Sequence, residues 1–181
     1  ALGSTISVDS DGVHFLAEVV GETEPMNSDT DNDGLHDGIE INGNTDPLKS
    51  DTDGDNLSDY LELRTLETLA TERDTDNDGL NDGVEYNKYD SNPTVPDTDA
   101  DGLEDGEEIN IYGTDPSSSD TDKDGLNDSK EVLNLSTDPV SKDSDSDGIA
   151  DGQEVNKFGT DPKNADTDDD KINDSEEINI Y

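Results

Sequence analysis

The stretch "DTDNDGLHDGIE", Asp29 to Glu40, packs five carboxylates into twelve residues, and it returns six times along the chain. The copies begin at Asp29, Asp51, Asp74, Asp97, Asp120, Asp143 and Asp166, spaced 22 residues once and 23 residues thereafter. This period constrains the fold more than any other feature. A unit of that length cannot bury a face alone, so neighbouring units must stack into an array. Residues 29–181 form seven such units, and residues 1–28 precede them as a separate N-terminal segment.

Composition sharpens the problem. Of 181 residues, 51 are acidic and 10 basic, for a formal charge of -41, and only 25% are hydrophobic. Such totals resemble a disordered chain. The repeat says otherwise, because positions 1, 3, 5, 9 and 12 of the twelve are acidic in every copy and hold 35 of the 51 acids. Two carboxylates about 4 Å apart at a dielectric near 20 repel by roughly 4 kcal/mol, so a folded loop of this kind needs a positive charge that it does not contain. The same charge repels nucleic acid and anionic lipid. There is no cysteine, and no apolar run long enough to span a bilayer. The chain does not open on a signal-like segment, so it reads as soluble and already processed.

Acidic oxygens at alternating positions, a sharp turn at position 6, a carbonyl at position 7 and a Glu at position 12 are the spacing by which a twelve-residue loop wraps Ca²⁺. Oxygen donors without His or Cys argue against zinc and copper, and a flexible loop favours Ca²⁺ over octahedral Mg²⁺. The candidate ligands are Asp29, Asp51, Asp74, Asp97, Asp120, Asp143 and Asp166 at position 1, and Asp31, Asp53, Asp76, Asp99, Asp122, Asp145 and Asp168 at position 3. Position 5 supplies Asp33, Asp55, Asp78, Asp101, Asp124, Asp147 and Asp170. Position 7, through its carbonyl, is Leu35, Leu57, Leu80, Leu103, Leu126, Ile149 and Ile172. Position 9 is Asp37, Asp59, Asp82, Asp105, Asp128, Asp151 and Asp174. Position 12 is Glu40, Glu62, Glu85, Glu108, Glu131, Glu154 and Glu177. One ion per loop takes the charge from -41 to -27 and two take it to -13, so ion binding and folding are expected to be one linked event. Position 6 is Gly except for Asn56 and Lys171. A positive φ strains Lys most, so the seventh site is expected to be the weakest or most distorted.

The rest of each unit predicts a short helix of about two turns from position 10, with apolar residues at position 13 and mostly at position 16, stopped at Gly113 or Gly159. A "TDP" turn follows at Thr45, Thr114, Thr137 and Thr160, replaced by Asn92-Pro93 and Glu24-Pro25 elsewhere. In unit 2, "LELRTLETLATER" has no Gly or Pro, which predicts a longer helix there. Positions 7, 13 and 16 would give each unit about three core residues, too few to offset roughly 1.5 kcal/mol of conformational entropy per ordered residue. The expected fold is therefore a calcium-stabilised repeat array, mostly loops with short helices, elongated and solenoid-like, with little conventional core. Pairing as EF-hands is disfavoured, because the apolar residue sits at position 7 rather than 8 and no full helix precedes each loop.

"DTDxDGLxDGxE" followed by "YGTDP" resembles the thrombospondin type 3 repeat in its cysteine-free bacterial form, over residues 29–181. The loop is also similar to a calcium site of the binary-toxin protective antigens. The resemblance implies that positions 1, 3, 5, 7 and 12 hold one ion and that 3, 5 and 12 are shared with a second, so each unit holds one ion or two. It also implies a secreted or surface-attached stalk.

The first 28 residues fit either a degenerate repeat, "SVDSDGVHFLAEV", or a hairpin of "TISV" and "VHFL" joined by "DSDG". His14 and His36 read as surface residues, and the five tyrosines as unit core. Sequons at Asn56, Asn127, Asn134 and Asn173 read as chance matches. No nucleophile is set beside a base, so no enzymatic activity is expected. The leading functional expectation is an extracellular calcium-dependent rod or spacer. The alternatives are a subunit of a self-assembling calcium-dependent filament or matrix, with other copies or a cell-surface protein as partner, and a calcium buffer or sensor.

Overall fold

The computed structural model describes residue 23 and residues 26–180. The alternatives for residues 1–28, His14 and Glu24-Pro25 fall wholly or mostly outside them. Among the described residues there are short helices, turns and loops and no strand, as expected of a repeat array built mostly of loops.

Each unit follows one local plan, and unit 4 illustrates it. In its loop the carboxylates accept from backbone amides: Asp97 from Gly102 at 3.1 Å, Asp99 from Asp101 at 3.0 Å, and Asp101 from Leu103 at 2.9 Å. Side chains thus replace the backbone carbonyls that an ordinary turn would use. Position 6 has positive φ as expected, including Asn56 at 81° and Lys171 at 80°. Both keep the loop's bond to position 1, with Asn56 N–H to Asp51 at 3.1 Å and Lys171 N–H to Asp166 at 2.7 Å. Position 4 is left-handed as well, from Ala100 at 61° to Gly54 at 81°, although only one copy has Gly there.

The helices start at position 9, one residue earlier than expected. They are α1 (Asp37–Gly43), α2 (Asp59–Leu61), α3 (Asp82–Val84), α4 (Asp105–Glu107), α5 (Asp128–Lys130), α6 (Asp151–Gln153) and α7 (Asp174–Ile180). The middle five continue as a π turn beginning at the position-12 glutamate, such as Glu108–Tyr112 after α4. In that turn the Gly113 N–H reaches the Glu108 carbonyl five residues back at 2.6 Å. Left-handed residues then end the helical segment, at φ 63° in Glu67 and 78° in Gly113.

Unit 2 departs from the expectation of a longer helix. Its helical segment ends at Leu66, in register with the others. "TLA" at 68–70 takes the place of "TDP": Thr68 and Ala70 are buried, and the Leu69 N–H donates to Thr75 Oγ1 at 2.9 Å just as Asp115 donates to Thr121 at 2.8 Å. Helix propensity loses here because the turn must dock on the next loop's Thr, and that contact sets where the helix stops.

The expected three-residue core is also corrected. The large apolar core residues are those of position 7, with Leu35, Leu57, Leu80, Leu103, Leu126 and Ile149 all at 7% exposure or less, and beside them the turn buries only a small apolar residue such as Ala70 or Pro116. At position 13, Ile41, Leu63 and Tyr86 are exposed, and position 16 is half-buried from Leu66 to Phe158. Tyr60 and Tyr86 are exposed and Tyr89 and Tyr112 half-buried, so the described tyrosines do not form a unit core. The helix turns its inner face with positions 9 and 12, and the wider π spacing after position 12 rotates the later residues outward.

Successive units meet through that inner face. At each of the six junctions among the described residues, the position-10 N–H of one unit donates to the position-5 carboxylate of the unit before it. The distances run from Gly152 to Asp124 at 2.5 Å up to Ser175 to Asp147 at 3.1 Å. Close approach explains the glycines at position 10. A Cβ on Gly83, Gly106 or Gly152 would lie 2.1 to 2.3 Å from the position-5 carbonyl oxygen of the preceding unit. Where Ser replaces Gly, its hydroxyl donates to that carbonyl, at 2.6 Å from Ser129 to Asp101 and 2.7 Å from Ser175 to Asp147.

Candidate metal centres

Two kinds of acidic group recur, and the junction separates them. The first lies within one loop and joins positions 1, 3 and 5, as in Asp29, Asp31 and Asp33, or Asp51, Asp53 and Asp55. The second crosses the junction. It joins positions 5 and 12 of one unit to position 9 of the next, as in Asp55, Glu62 and Asp82, or Asp78, Glu85 and Asp105. In each group the oxygens lie within 4.8 Å of one another.

Position 9 therefore does not serve its own loop in the way its spacing suggests. Both its oxygens accept from position 2 of that loop, as in Thr98 N–H to Asp105 at 2.7 Å and Thr98 Oγ1 to Asp105 at 2.6 Å. Its charge faces the preceding unit, since Asp59 is raised by Asp33, Asp82 by Asp55 and Asp151 by Asp124, in each case after burial. From Asp59 to Asp151 these side chains are fully buried.

The position-12 glutamates from Glu40 to Glu154 are also fully buried. A hydroxyl six residues on holds one oxygen in the middle units, as in Thr114 to Glu108 at 2.9 Å and Thr137 to Glu131 at 3.1 Å. The other oxygen, Oε2, has no hydrogen-bond partner in Glu62, Glu85, Glu108, Glu131 or Glu154, and neither oxygen of Glu40 has one. At position 3, Oδ2 is likewise buried and unpartnered in Asp31, Asp53, Asp76, Asp99, Asp122 and Asp145. Buried carboxylate oxygens without donors are costly unless a cation meets them.

The electrostatics agree. Burial first, then neighbouring carboxylates, push Glu40, Glu62, Glu85, Glu108 and Glu131 up to about 8 and Glu154 to about 7. Asp53, Asp76, Asp99 and Asp122 are raised to about 6, chiefly by burial. A divalent cation reverses both causes at once, and the donors are hard oxygens. The residues thus fit an oxygen-loving ion such as Ca²⁺. Position 7 contributes a buried side chain beneath the loop in addition to the carbonyl assigned to it.

Three contributors escape a reading of acids alone: position 2, which ties the loop to position 9; position 10, which is Gly or Ser in every unit except the second, where it is Tyr60; and the Thr or Ser that orients position 12. Their signal was the recurrence of Thr or Ser at position 2, of "DG" or "DS" at positions 9 and 10 outside unit 2, and of "TDP" at Thr45, Thr114, Thr137 and Thr160.

The bacterial TSP3 repeat is matched at residues 29–50, 74–96, 97–119, 120–142 and 143–165. Units 2 and 7, whose position 6 is Asn56 and Lys171, lie outside these segments although their loops close the same way. None of the curated proteins matches. Among solved structures, a biofilm associated protein BSP domain is 44% identical over 24% of this chain and 7% of its own, with a TM-score of 0.24. A biofilm associated protein B domain is 44% identical over 25% of this chain and 11% of its own, with a TM-score of 0.25. The chain spans about a tenth or less of the length of either. The five matched repeats make up more than half of the sequence, and the chain belongs to the bacterial TSP3 repeat family.

Proposed function

We propose that this chain is an extracellular calcium-binding structural module, a rod or spacer whose order and stiffness depend on Ca²⁺. The observation that carries this reading is the buried glutamate at position 12. In each unit from the first to the sixth it sits at a junction with at least one unpartnered oxygen, beside the acids of its own loop and position 9 of the next unit.

An ion at each junction would hold successive units in one orientation, which is what a spacer needs. The family binds calcium, and loops of this type outside paired EF-hands work in the range of roughly 10⁻⁴ to 10⁻³ M, which suits an extracellular module. No described helix is long and apolar enough to cross a membrane. The reading assigns no catalytic step to any residue.

Circular dichroism and small-angle scattering, with millimolar calcium and then excess chelator, test it. The expected result is loss of helix signal and a change from an extended, stiff particle to a flexible coil on chelation. Identical spectra and scattering in both conditions would overturn the proposal.

A further inference from the structure

Two units carry a positive charge fastened over their own loops. Arg73, the last residue of unit 2, folds back 20 residues so that Nε donates to the Asp53 carbonyl at 2.6 Å. Its Nη2 lies 3.0 Å from where a Cβ on Gly54 would be. Lys142, the last residue of unit 5, does the same, with Nζ donating to the Lys123 carbonyl 19 residues back at 2.9 Å. Its charge reaches the loop's position-3 carboxylate, lowering Asp122 against the larger effect of burial. The other units with a successor end in Ser or Pro or, in unit 6, Ala, with Ser119 closing unit 4.

We infer that Arg73 and Lys142 are tethered counter-charges that lower the calcium affinity of the loops they cover, so that units 2 and 5 fill after their neighbours. The inference rests on the calcium reading above and concerns how the sites are graded. A cation held beside the loop relieves carboxylate repulsion before any ion arrives, and it repels the divalent ion once it comes. Both effects reduce the gain on binding. Held about 8 Å away in a water-like dielectric, one such charge changes the affinity for a divalent ion by about fivefold. Because Arg73 and Lys142 are solvent-exposed, the effect must fade as salt shortens the screening length to about 3 Å near 1 M. A purely structural role for these hydrogen bonds would survive that salt.

The test is a calcium titration of the full chain, followed at single amides by NMR at low salt. The loop amides Asn56, Gly102 and Gly125 report on units 2, 4 and 5. In the unaltered chain Gly102 is expected to respond at lower calcium than Asn56 and Gly125. Lys142→Gln should lower the Gly125 midpoint about fivefold, Lys142→Arg should leave it in place, and Ser119→Lys should raise that of Gly102. One shared midpoint for Asn56, Gly102 and Gly125 in the unaltered chain would refute the later filling of units 2 and 5. Midpoints unmoved by Lys142→Gln and Ser119→Lys, or a shift that persists at 1 M salt, overturn the inference. If no amide responds to calcium in any of these chains, the calcium reading itself falls, and this one with it.

Discussion

Units 4 and 7 carry the same acids at the same five positions, yet they are built differently in space. In unit 4, Leu103 is 2% exposed and Glu108 fully buried, and burial with its neighbours lifts Glu108 to about 8. In unit 7, the equivalent Ile172 is 37% exposed, Asp168 and Asp170 are exposed, and Glu177 is only half-buried. The loops themselves close alike, with Leu103 N–H to Asp101 and Ile172 N–H to Asp170 both at 2.9 Å. What differs is a successor: unit 5 lays Asp128 and Ser129 over unit 4, whereas no described unit follows unit 7. Burial of the acids is thus a property of the junction and not of the loop.

The strongest way to break this contrast is to obstruct a junction. Gly106→Val places a Cβ 2.3 Å from the Asp78 carbonyl, while the same change at Gly38 meets nothing within 4 Å. The expected cost in calcium is about 3 kcal/mol or more at Gly106 and less than about 1 kcal/mol at Gly38, read by thermal unfolding. Gly106→Ser should be mild, since Ser129 and Ser175 occupy equivalent places.

Removing charge from position 12 sharpens the comparison further. Glu108→Gln should weaken calcium binding about a hundredfold, yet stabilise the chelated chain near neutral pH by removing a buried carboxylate among like charges. Glu177→Gln should do neither as strongly. Calorimetric titration and chelator melts separate the two effects, and equal effects at both positions would refute the role given to the junction.

A smaller loss is expected from Thr114→Val, which removes the donor that orients Glu108 at 2.9 Å. Loss of such an orienting group typically weakens ion binding about tenfold or more, and a titration in which the variant matched the unaltered chain would show that the hydroxyl is dispensable.

A further test is in pH. Glu108 is raised from 4.5 to about 8, so the folded, ion-free chain binds protons that the unfolded chain has released. Its contribution is fully present below pH 4.5 and is lost as pH rises through about 8. In chelator, melting temperature should therefore fall across that window, whereas calcium affinity should rise over it, because the ion takes the deprotonated carboxylate.

Much of this was legible because the acidic loop is a local object. The period, the turn at position 6 and the clustering of positions 1, 3 and 5 all lie within a dozen residues, and the structure keeps them. Reading failed where a local pattern met a non-local demand. "LELRTLETLATER" reads as a longer helix, but Thr68 and Ala70 dock like Thr and Pro elsewhere, and that ends it at Leu66. Positions 13 and 16 have the spacing of a buried face, but the face is already filled by Asp105 and Glu108 and their counterparts.

The sequence by itself determined which residues carry negative oxygens, how each loop turns and that copies must stack, because spacing of a few residues dictates short-range geometry. Only the tertiary structure decided whose loop a side chain serves. Asp82 belongs by sequence to unit 3 but stands with Asp55 and Glu62 of unit 2, and Gly83 lies where unit 2's backbone leaves only about 2.1 Å to an added Cβ. The junction hydrogen bonds join residues 27 or 28 apart, as from Tyr60 to Asp33 and from Gly83 to Asp55. No local pattern fixes such a distance; the way one unit sits on the next does.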